Sequence, residues 1–491
     1  MSCKYYSTPI YYANDKPHVG HLYSTLLVDI WKRASMMQKK NVFFLSGLDE
    51  HGQKVAQSAQ QKGCSPQEHV DNMSRIFLEF FHNFSITPDF WVRTTSQEHK
   101  QAVQAFWKKL KDNGYIYKNN YAGWYSISDE AYLQDDKEDI HSNKTNPNIV
   151  WREEECYYFK LSAFQEKLRE FFEKNSDFIY PSKRYNEAVG FLSSGLKDFV
   201  ISRPKARLSW GIEVPDDEEH VIYVWIDALV NYLSAIGYPD ESYKKLWPAT
   251  HILGKDILKF HAIYWPALLM AADIALPEKL IIHGWWLKDD AKISKSSGNA
   301  SSLDEFIEKY EVDGLRYYLV RGVELGEDGQ FKDELVKQVV HSELANRFGN
   351  MLLRILGIVE ISFDSELPEC PQYEDATILA NIRKLYDAFE KIPNDITVIN
   401  EYLSKFVNCA ESLNDFFQKN EMWAIQDTTK KASKLTFVLD VFKKMAVLMY
   451  PVIPNTSKEI LAFFGLHPTM DSYTSKVKLF QTDNPKLFPK F

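Results

Sequence analysis

The chain has 491 residues, 45% of them hydrophobic and 25% charged, which is too long for one ordinary core and predicts two or more packed domains of average composition. Its net charge of −9 argues against a protein that coats nucleic acid, since neutralising phosphates takes clustered Lys and Arg, and leaves room for a local basic face. The five cysteines, Cys3, Cys64, Cys156, Cys370 and Cys409, include no CxxC pair, so neither a disulfide framework nor a zinc knuckle is expected. The long apolar run Phe260 to Leu276 holds His261 and Asp273 and reads as a buried helix, not a membrane span.

In chain order, Lys4 to Tyr12 reads as a strand, Ala-Asn-Asp-Lys-Pro as a turn, His18 to about Lys39 as a buried helix, and Asn41 to Leu45 as a second strand, a βαβ opening. The stretch from Tyr115 to Arg207 carries short strand-like pieces and a polar segment from Gln134 to Asn148. It reads as an inserted α+β domain. The first alternation then resumes: Val221 to Trp225 strand, Ala228 to Ile236 helix, His251 to Leu253 strand and Leu280 to His283 strand. A parallel sheet interrupted by an insertion is the simplest arrangement. Beyond about Asp333 the pattern turns helical, with amphipathic segments near Val336 to Val359, Ala376 to Glu390, Ile399 to Gln418 and Thr429 to Met449, as in a bundle.

Two motifs carry chemistry. His18-Val19-Gly20-His21 stands where a strand passes into a helix, and the free N–H groups of a helix start favour a nucleotide phosphate. Gly20 lets a base or ribose lie against the backbone, and His18 and His21, three apart, share one face of the first turn and can donate to phosphate oxygens. Lys292-Ile293-Ser294-Lys295-Ser296-Ser297-Gly298-Asn299 offers two lysines three apart in a Ser/Gly-rich loop, suited to converge on a polyphosphate. Each alone has a bland alternative, a helix start or a solvated loop. Together and in this order they resemble the HIGH and KMSKS signatures of class I aminoacyl-tRNA synthetases.

The resemblance covers nearly the whole chain and is to the methionine-specific family. It rests on Thr8-Pro9-Ile10-Tyr11-Tyr12, Gly47-Leu48-Asp49-Glu50-His51-Gly52-Gln53-Lys54, Trp225-Ile226-Asp227-Ala228, Gly254-Lys255-Asp256-Ile257 with Phe260-His261, and His283-Gly284-Trp285-Trp286. It implies a Rossmann-type parallel-sheet catalytic domain in two halves (1–114 and 208–295), an inserted connective domain (115–207), a signature-loop and stem-contact region (296–340) and an all-α anticodon-binding bundle (341–491). It implies an ATP site of His18, Gly20, His21, His283, Gly284, Trp285, Lys292, Ser294 and Lys295. The methionine site would be made from Ile10, Tyr12, Asp49, Trp225, Ala228, Leu229, Tyr232, Ile257, His261 and Trp265. A thioether gains from aromatic contact, Asp49 can receive the α-ammonium group, and Tyr232 or His261 could hydrogen-bond weakly to sulfur. Taken singly, each of these aromatics would be read as core.

The expected reaction needs no protein nucleophile: the methionine carboxylate attacks the α-phosphorus of ATP, and a terminal ribose hydroxyl of tRNA(Met), initiator or elongator, then takes the methionine. His18, His21, Lys292 and Lys295 would stabilise phosphate charge, with Mg2+ as counter-ion. Asn350, Arg354 and Trp423 match the family's anticodon readers, suited to unstacked loop bases. The departure lies in the insertion. Many relatives carry zinc knuckles after a Trp-Tyr pair, whereas Trp124-Tyr125 is followed by Ser126 and Asp129 where the first two cysteines would stand, and His141 with Cys156 cannot close a tetrahedral site. No structural zinc and no other metal site is expected. The insertion is also too short for an editing domain, which synthetases for small aliphatic amino acids need. The start of the chain has no apolar signal core or Arg-rich presequence. A bacterial-type cytoplasm is the expected location, or a mitochondrial matrix after removal of a leader, with no membrane attachment and a monomeric state. The rival readings are a class I synthetase for cysteine or leucine, which would lack this aromatic pocket, a catalytically silent RNA-binding scaffold, and a small-molecule adenylyltransferase.

Overall fold

Lys4–Tyr12 forms β1, whose successive side chains enter two different cores, Tyr5 on one face and Tyr6 on the other. A strand covered on both faces has no use for an alternating pattern, and KYYSTPIYY puts tyrosines at consecutive positions without alternating with polar residues. The structure, a computed structural model, describes residues 3–126, 131–132, 149–288, 291–292, 303–477 and 488. After β1 come α1 (Val19–Met37), β2 (Val42–Asp49), α2 (Gln53–Gln61), α3 (Pro66–Asn83), β3 (Phe90–Arg93) and α4 (Gln97–Asp112).

The insertion supplies β4 (Ile116–Ser126), β5 (Ala131–Tyr132), β6 (Ile149–Phe159), α5 (Gln165–Lys174), β7 (Ile179–Tyr180), α6 (Ser182–Ser193) and β8 (Phe199–Val200). β4 and β6 pair antiparallel from Ile116 opposite Phe159 to Ser126 opposite Ile149, in a sheet of order β5-β4-β6-β8. A small antiparallel sheet of β9 (Ser202–Pro204), β10 (Glu213–Val214) and β11 (Asp217–Ile222) leads to α7 (Val224–Ser234). β12 (Ala249–Gly254), a π-helical turn (Phe260–Tyr264), α8 (Trp265–Ala271), β13 (Lys279–His283), β14 (Trp286–Lys288) and β15 (Ala291–Lys292) follow.

The main sheet has six strands in the order β3-β2-β1-β12-β13-β7, all parallel. Strand order reverses at β1, with β2 on one side and β12 on the other. Ligands of open parallel sheets bind outside the strand ends at such a switch point. The edge strand β7 comes from the insertion, so the inserted region is stitched into the sheet it interrupts.

The remaining helices are α9 (Leu303–Arg321, kinked at Glu311 where φ is 58°), α10 (Asp333–Val339), a π-helical stretch (Val340–Gly349), α11 (Asn350–Phe363), α12 (Ala376–Lys391), α13 (Ile399–Lys419), α14 (Thr428–Met449), α15 (Pro454–Phe463) and α16 (Met470–Thr474), with β16 (Gly329–Gln330) pairing to β14. Helical backbone runs unbroken from Asp333 to Phe363, across the expected boundary at 340/341. One buried cluster continues from α1 and β1 into the bundle. The expected strand Val221 to Trp225 instead ends at Ile222, and the next residues start α7. A short apolar run has no period by which to tell strand from helix.

Candidate active site

A cleft of about 780 Å³ opens at the carboxyl ends of β1, β2, β12 and β13 and brings together residues far apart in the chain. One wall carries His18, Gly20, His21, His283, Gly284 and Trp285; the other carries Ile10, Tyr12, Asp49, Trp225, Ala228, Leu229, Tyr232, Ile257 and His261. Trp265 does not line the cleft. It is fully buried behind Tyr232, with ring centroids 6.1 Å apart. Lys292 is placed only as the backbone of β15, while Ser294 and Lys295 lie outside the described residues.

His18 and His21 form a reciprocal cap on α1. Gly20 N donates to His18 Nδ1 at 3.1 Å and His18 N donates to His21 Nδ1 at 3.1 Å. Both Nδ1 atoms are therefore acceptors in these bonds, which leaves Nε2–H as the donor on each neutral ring. The rings stack with centroids 3.9 Å apart. Gly20 has a reason beyond the expected approach of a base or ribose: a Cβ there would stand 2.9 Å from His18 Cε1, so any side chain would displace the capping imidazole. Beside α1, on the same wall, His283 Nδ1 lies 2.8 Å from the Gly284 carbonyl and Nε2 lies 2.7 Å from Ser24 Oγ. A carbonyl only accepts, so Nδ1 carries the hydrogen and Ser24 donates to Nε2. Asp328 accepts from Trp285 N at 2.8 Å and from Lys255 Nζ at 2.6 Å, while Lys255 lies 4.1 Å over the Trp285 ring. These contacts hold the indole at the rim.

At the other end Trp225 stacks on Phe260, with centroids 3.6 Å apart and an interplanar angle of 7°. Phe260 and His261 both sit on the π-helical turn, a form enriched at functional sites. His261 Nδ1 faces the Ile257 carbonyl at 3.0 Å and Nε2 faces Tyr232 Oη at 2.8 Å. Burial pushes the His261 imidazole down to about 4, so it is neutral at pH 7. Its hydrogen then goes to Ile257 and the tyrosine donates to Nε2. Both hydrogens are engaged within the protein in this arrangement. Asp49 closes this end, buried at the end of β2.

Lining residues without an expected role include Ser24, Asn231, Asp256, Phe260 and Lys54, the last being the one Lys or Arg among the described lining residues. Lys54 and Asp256 stand inside sequence blocks already singled out, but only the folded chain shows which members of a block face the cleft. In the bundle, Asn350 and Arg354 lie one turn apart on α11, and the Arg354 guanidinium sits 4.7 Å over Phe417 of α13. Gln418, with its amide oxygen turned toward Arg354, accepts at 3.0 Å. Trp423 is 50% exposed with its ring 5.9 Å from Phe417. Arg354 and the half-exposed Trp423 thus both pack on one buried aromatic residue, Phe417.

The family model described as tRNA synthetases class I (M) matches residues 4–142 and 136–356. The chain belongs to the methionine-specific class I tRNA synthetases. Among curated members of this family, it is 41% identical to a methionine–tRNA ligase of Rickettsia prowazekii, over 94% of the chain and 92% of that protein. It is 39% identical to one of Thermotoga maritima, over 93% of the chain and 74% of that protein. Solved synthetases of Mycobacterium tuberculosis superpose over essentially the whole chain. One in complex with methionyl-adenylate matches with a TM-score of 0.90 at 33% identity, covering 100% of this chain and 99% of that one. A free-state structure matches at 0.85 and 30% identity, covering 100% and 98%. Among the described residues no group of three or more His, Cys, Asp or Glu is placed to hold a metal. Cys156 is buried in β6, and Ser126 occupies the end of β4; Asp129 and His141 lie outside the described residues. No helix among the described residues is long and apolar enough to cross a membrane.

Proposed function

We infer that the cleft holds ATP against His18, Gly20, His21, His283, Gly284 and Trp285, and methionine against Ile10, Tyr12, Asp49, Trp225, Ala228, Leu229, Tyr232, Ile257 and His261, with Trp265 backing the pocket. The chain is a methionine–tRNA ligase. It activates L-methionine with ATP and transfers it to the 3′-terminal adenosine of tRNA(Met). The observation that carries the assignment of residues is the meeting, in one cleft, of a histidine-capped helix start with an aromatic pocket closed by Asp49.

Asp49 takes the ammonium group, and the stacked Trp225 and Phe260 with neutral His261 take the thioether. The carboxylate oxygen then attacks the α-phosphorus and the bond to the departing pyrophosphate breaks. The Nε2–H groups of His18 and His21 stabilise the charge that develops on the phosphate oxygens. Lys292, Ser294 and Lys295 bind the pyrophosphate end, and Mg2+ arrives with ATP as part of the substrate. In the second step the ribose hydroxyl attacks the adenylate carbonyl and AMP leaves.

The inserted region (115–207) meets the acceptor end of the transfer RNA, and residues 296–340 carry the signature loop and contact the stem. The bundle from 341 reads the anticodon of initiator and elongator species through Asn350, Arg354 and Trp423. Ser126 in place of a cysteine, and Cys156 buried in a strand, support a connective region built without zinc. The bacterial relatives support a cytoplasmic place of work, and a monomer suffices because one chain supplies every group named. Pyrophosphate exchange into ATP, with each standard amino acid offered separately, tests the reading. Exchange with methionine alone is expected; exchange with another amino acid would overturn the pocket, and none at all would favour a silent scaffold.

A further inference from the structure

Asp227 lies on α7 between Trp225 and Ala228, yet its carboxylate turns into the protein and is 1% exposed. His51 Nδ1 reaches Oδ2 at 2.7 Å, His99 Nε2 reaches Oδ1 at 2.7 Å, and the other nitrogen of His99 lies 2.7 Å from Ser234 Oγ, also on α7. Both histidines are buried. Burial alone would raise the Asp227 carboxyl; the two imidazoles outweigh it and hold the carboxyl at about 2. A buried ionised carboxylate satisfied on both oxygens is costly to break and rigid while it lasts.

His51 belongs to the turn leaving β2, two residues after Asp49. The rest of that turn is fastened elsewhere. Arg93 Nε donates to the buried Glu50 carboxylate at 2.6 Å, Glu50 N donates to Thr94 Oγ1 at 2.9 Å, and Trp210 Nε1 donates to the Glu50 carbonyl at 2.6 Å. Asp227 carries the link from this turn to the helix that bears Trp225 and Tyr232.

We propose that Asp227, clasped by His51 and His99, is a positioning residue that fixes the span between the ammonium-binding carboxylate of Asp49 and the aromatic pocket, and so sets the side-chain length the enzyme accepts. The proposal rests on the methionine reading above. Telling substrates apart by one methylene requires a wall that does not give. Loosening the clasp lets the wall move, so a longer analogue gains on methionine while one of equal length does not.

The test compares pyrophosphate exchange for methionine, ethionine (one methylene longer) and norleucine (equal length) in the unaltered enzyme and in Asp227→Asn. Losing one charge-assisted hydrogen bond is expected to raise the methionine KM about tenfold. The methionine-to-ethionine ratio of kcat/KM should fall about tenfold, the scale of single-methylene discrimination. The methionine-to-norleucine ratio and the KM for ATP should hold. Equal losses for all three amino acids would overturn the proposal and leave Asp227 a merely structural residue. Should Asp227→Asn not fold, His51→Asn, which keeps a donor near the place of Nδ1, is set against His51→Leu, which does not. The first should keep the ethionine discrimination and the second lose it, and identical ratios would overturn the proposal. Failure of the underlying reading shows separately, as no methionine exchange in the unaltered enzyme, and removes the proposal with it.

Discussion

His18 and His21 each have two ring nitrogens, and capping α1 claims one of each. Folding and catalysis can therefore be separated by substitution. His21→Asn keeps an acceptor near the place of Nδ1 and removes the Nε2–H. It should melt with the unaltered enzyme while adenylate formation slows about 100-fold, the cost of one oxyanion donor. His21→Ala should lose the cap as well, roughly 1 kcal/mol by denaturant unfolding. Wild-type turnover in His21→Asn would remove His21 from the reaction. Lys295→Ala should depress the turnover of adenylate formation far more than it weakens methionine binding; a large rise in the methionine dissociation constant with normal turnover would defeat its assignment. At the pocket, His261 is held at about 4 against an ordinary 6.5, so the unfolded chain takes up the proton first. The stability this contributes is complete above pH about 6.5 and is lost as pH falls toward about 4, a difference on the order of 3 kcal/mol. His251, held low by burial in the same core, acts in the same direction. The urea midpoint should fall between pH 7 and 4.5, and fall less in His261→Gln; equal slopes would contradict this. At this scale much was legible, because the histidine and lysine motifs and the aromatic blocks stand contiguous in the sequence. The clasp of His51, Asp227 and His99 was not legible, since its partners lie 128 and 176 positions apart.

Between elements the contact most sensitive to change is Arg316 of α9, a fully buried guanidinium. It donates to Asp29 of α1 at 2.7 Å and to the carbonyls of Phe84, Pro451 and Val452 at 2.8 to 2.9 Å. Nearby, Arg33 of α1 donates to Tyr450 Oη at 3.0 Å, and Asp313 of α9 accepts from Thr456 N at 2.6 Å near the start of α15. Breaking such a network strands a buried charge at a cost of about 3 to 5 kcal/mol. Arg316→Met should lower the melting temperature and split one calorimetric transition into two as bundle and catalytic domain part. A single, unshifted transition would show that the apolar contacts alone join them. The sequence contained α1 and the long bundle helices as periodic patterns. It did not contain their junction: Arg316 sits among tyrosines and leucines in a helix whose amphipathic pattern is weak, because α9 is buried on most sides and kinked at Glu311. The start of α7 was misplaced for a related reason, its apolar run being continuous with the strand before it.

For the whole molecule, the parallel sheet, its interruption and the helical C-terminal region follow from alternating and helical periodicities, and the family match covers them end to end. The return of β7 to the main sheet was hidden in two residues whose pairing depends on α5 and α6 being in place. At the far end of the chain, Trp423→Ala should leave pyrophosphate exchange intact and weaken transfer RNA charging. Stacking of one base is worth about 1–3 kcal/mol, so the KM for transfer RNA should rise at least about tenfold. An unchanged KM would place the anticodon elsewhere. The buried cluster that runs from α1 into the bundle bears on the substrate as well. α1 carries the histidines at its start and is tied through Asp29 and Arg33 to Arg316 and Tyr450, so a bundle that reads the anticodon as proposed would be held at a set distance from the cleft. A transfer RNA with an unaltered anticodon and acceptor end, but one extra base pair between them, should be charged poorly, because it is the RNA that must bend to fit.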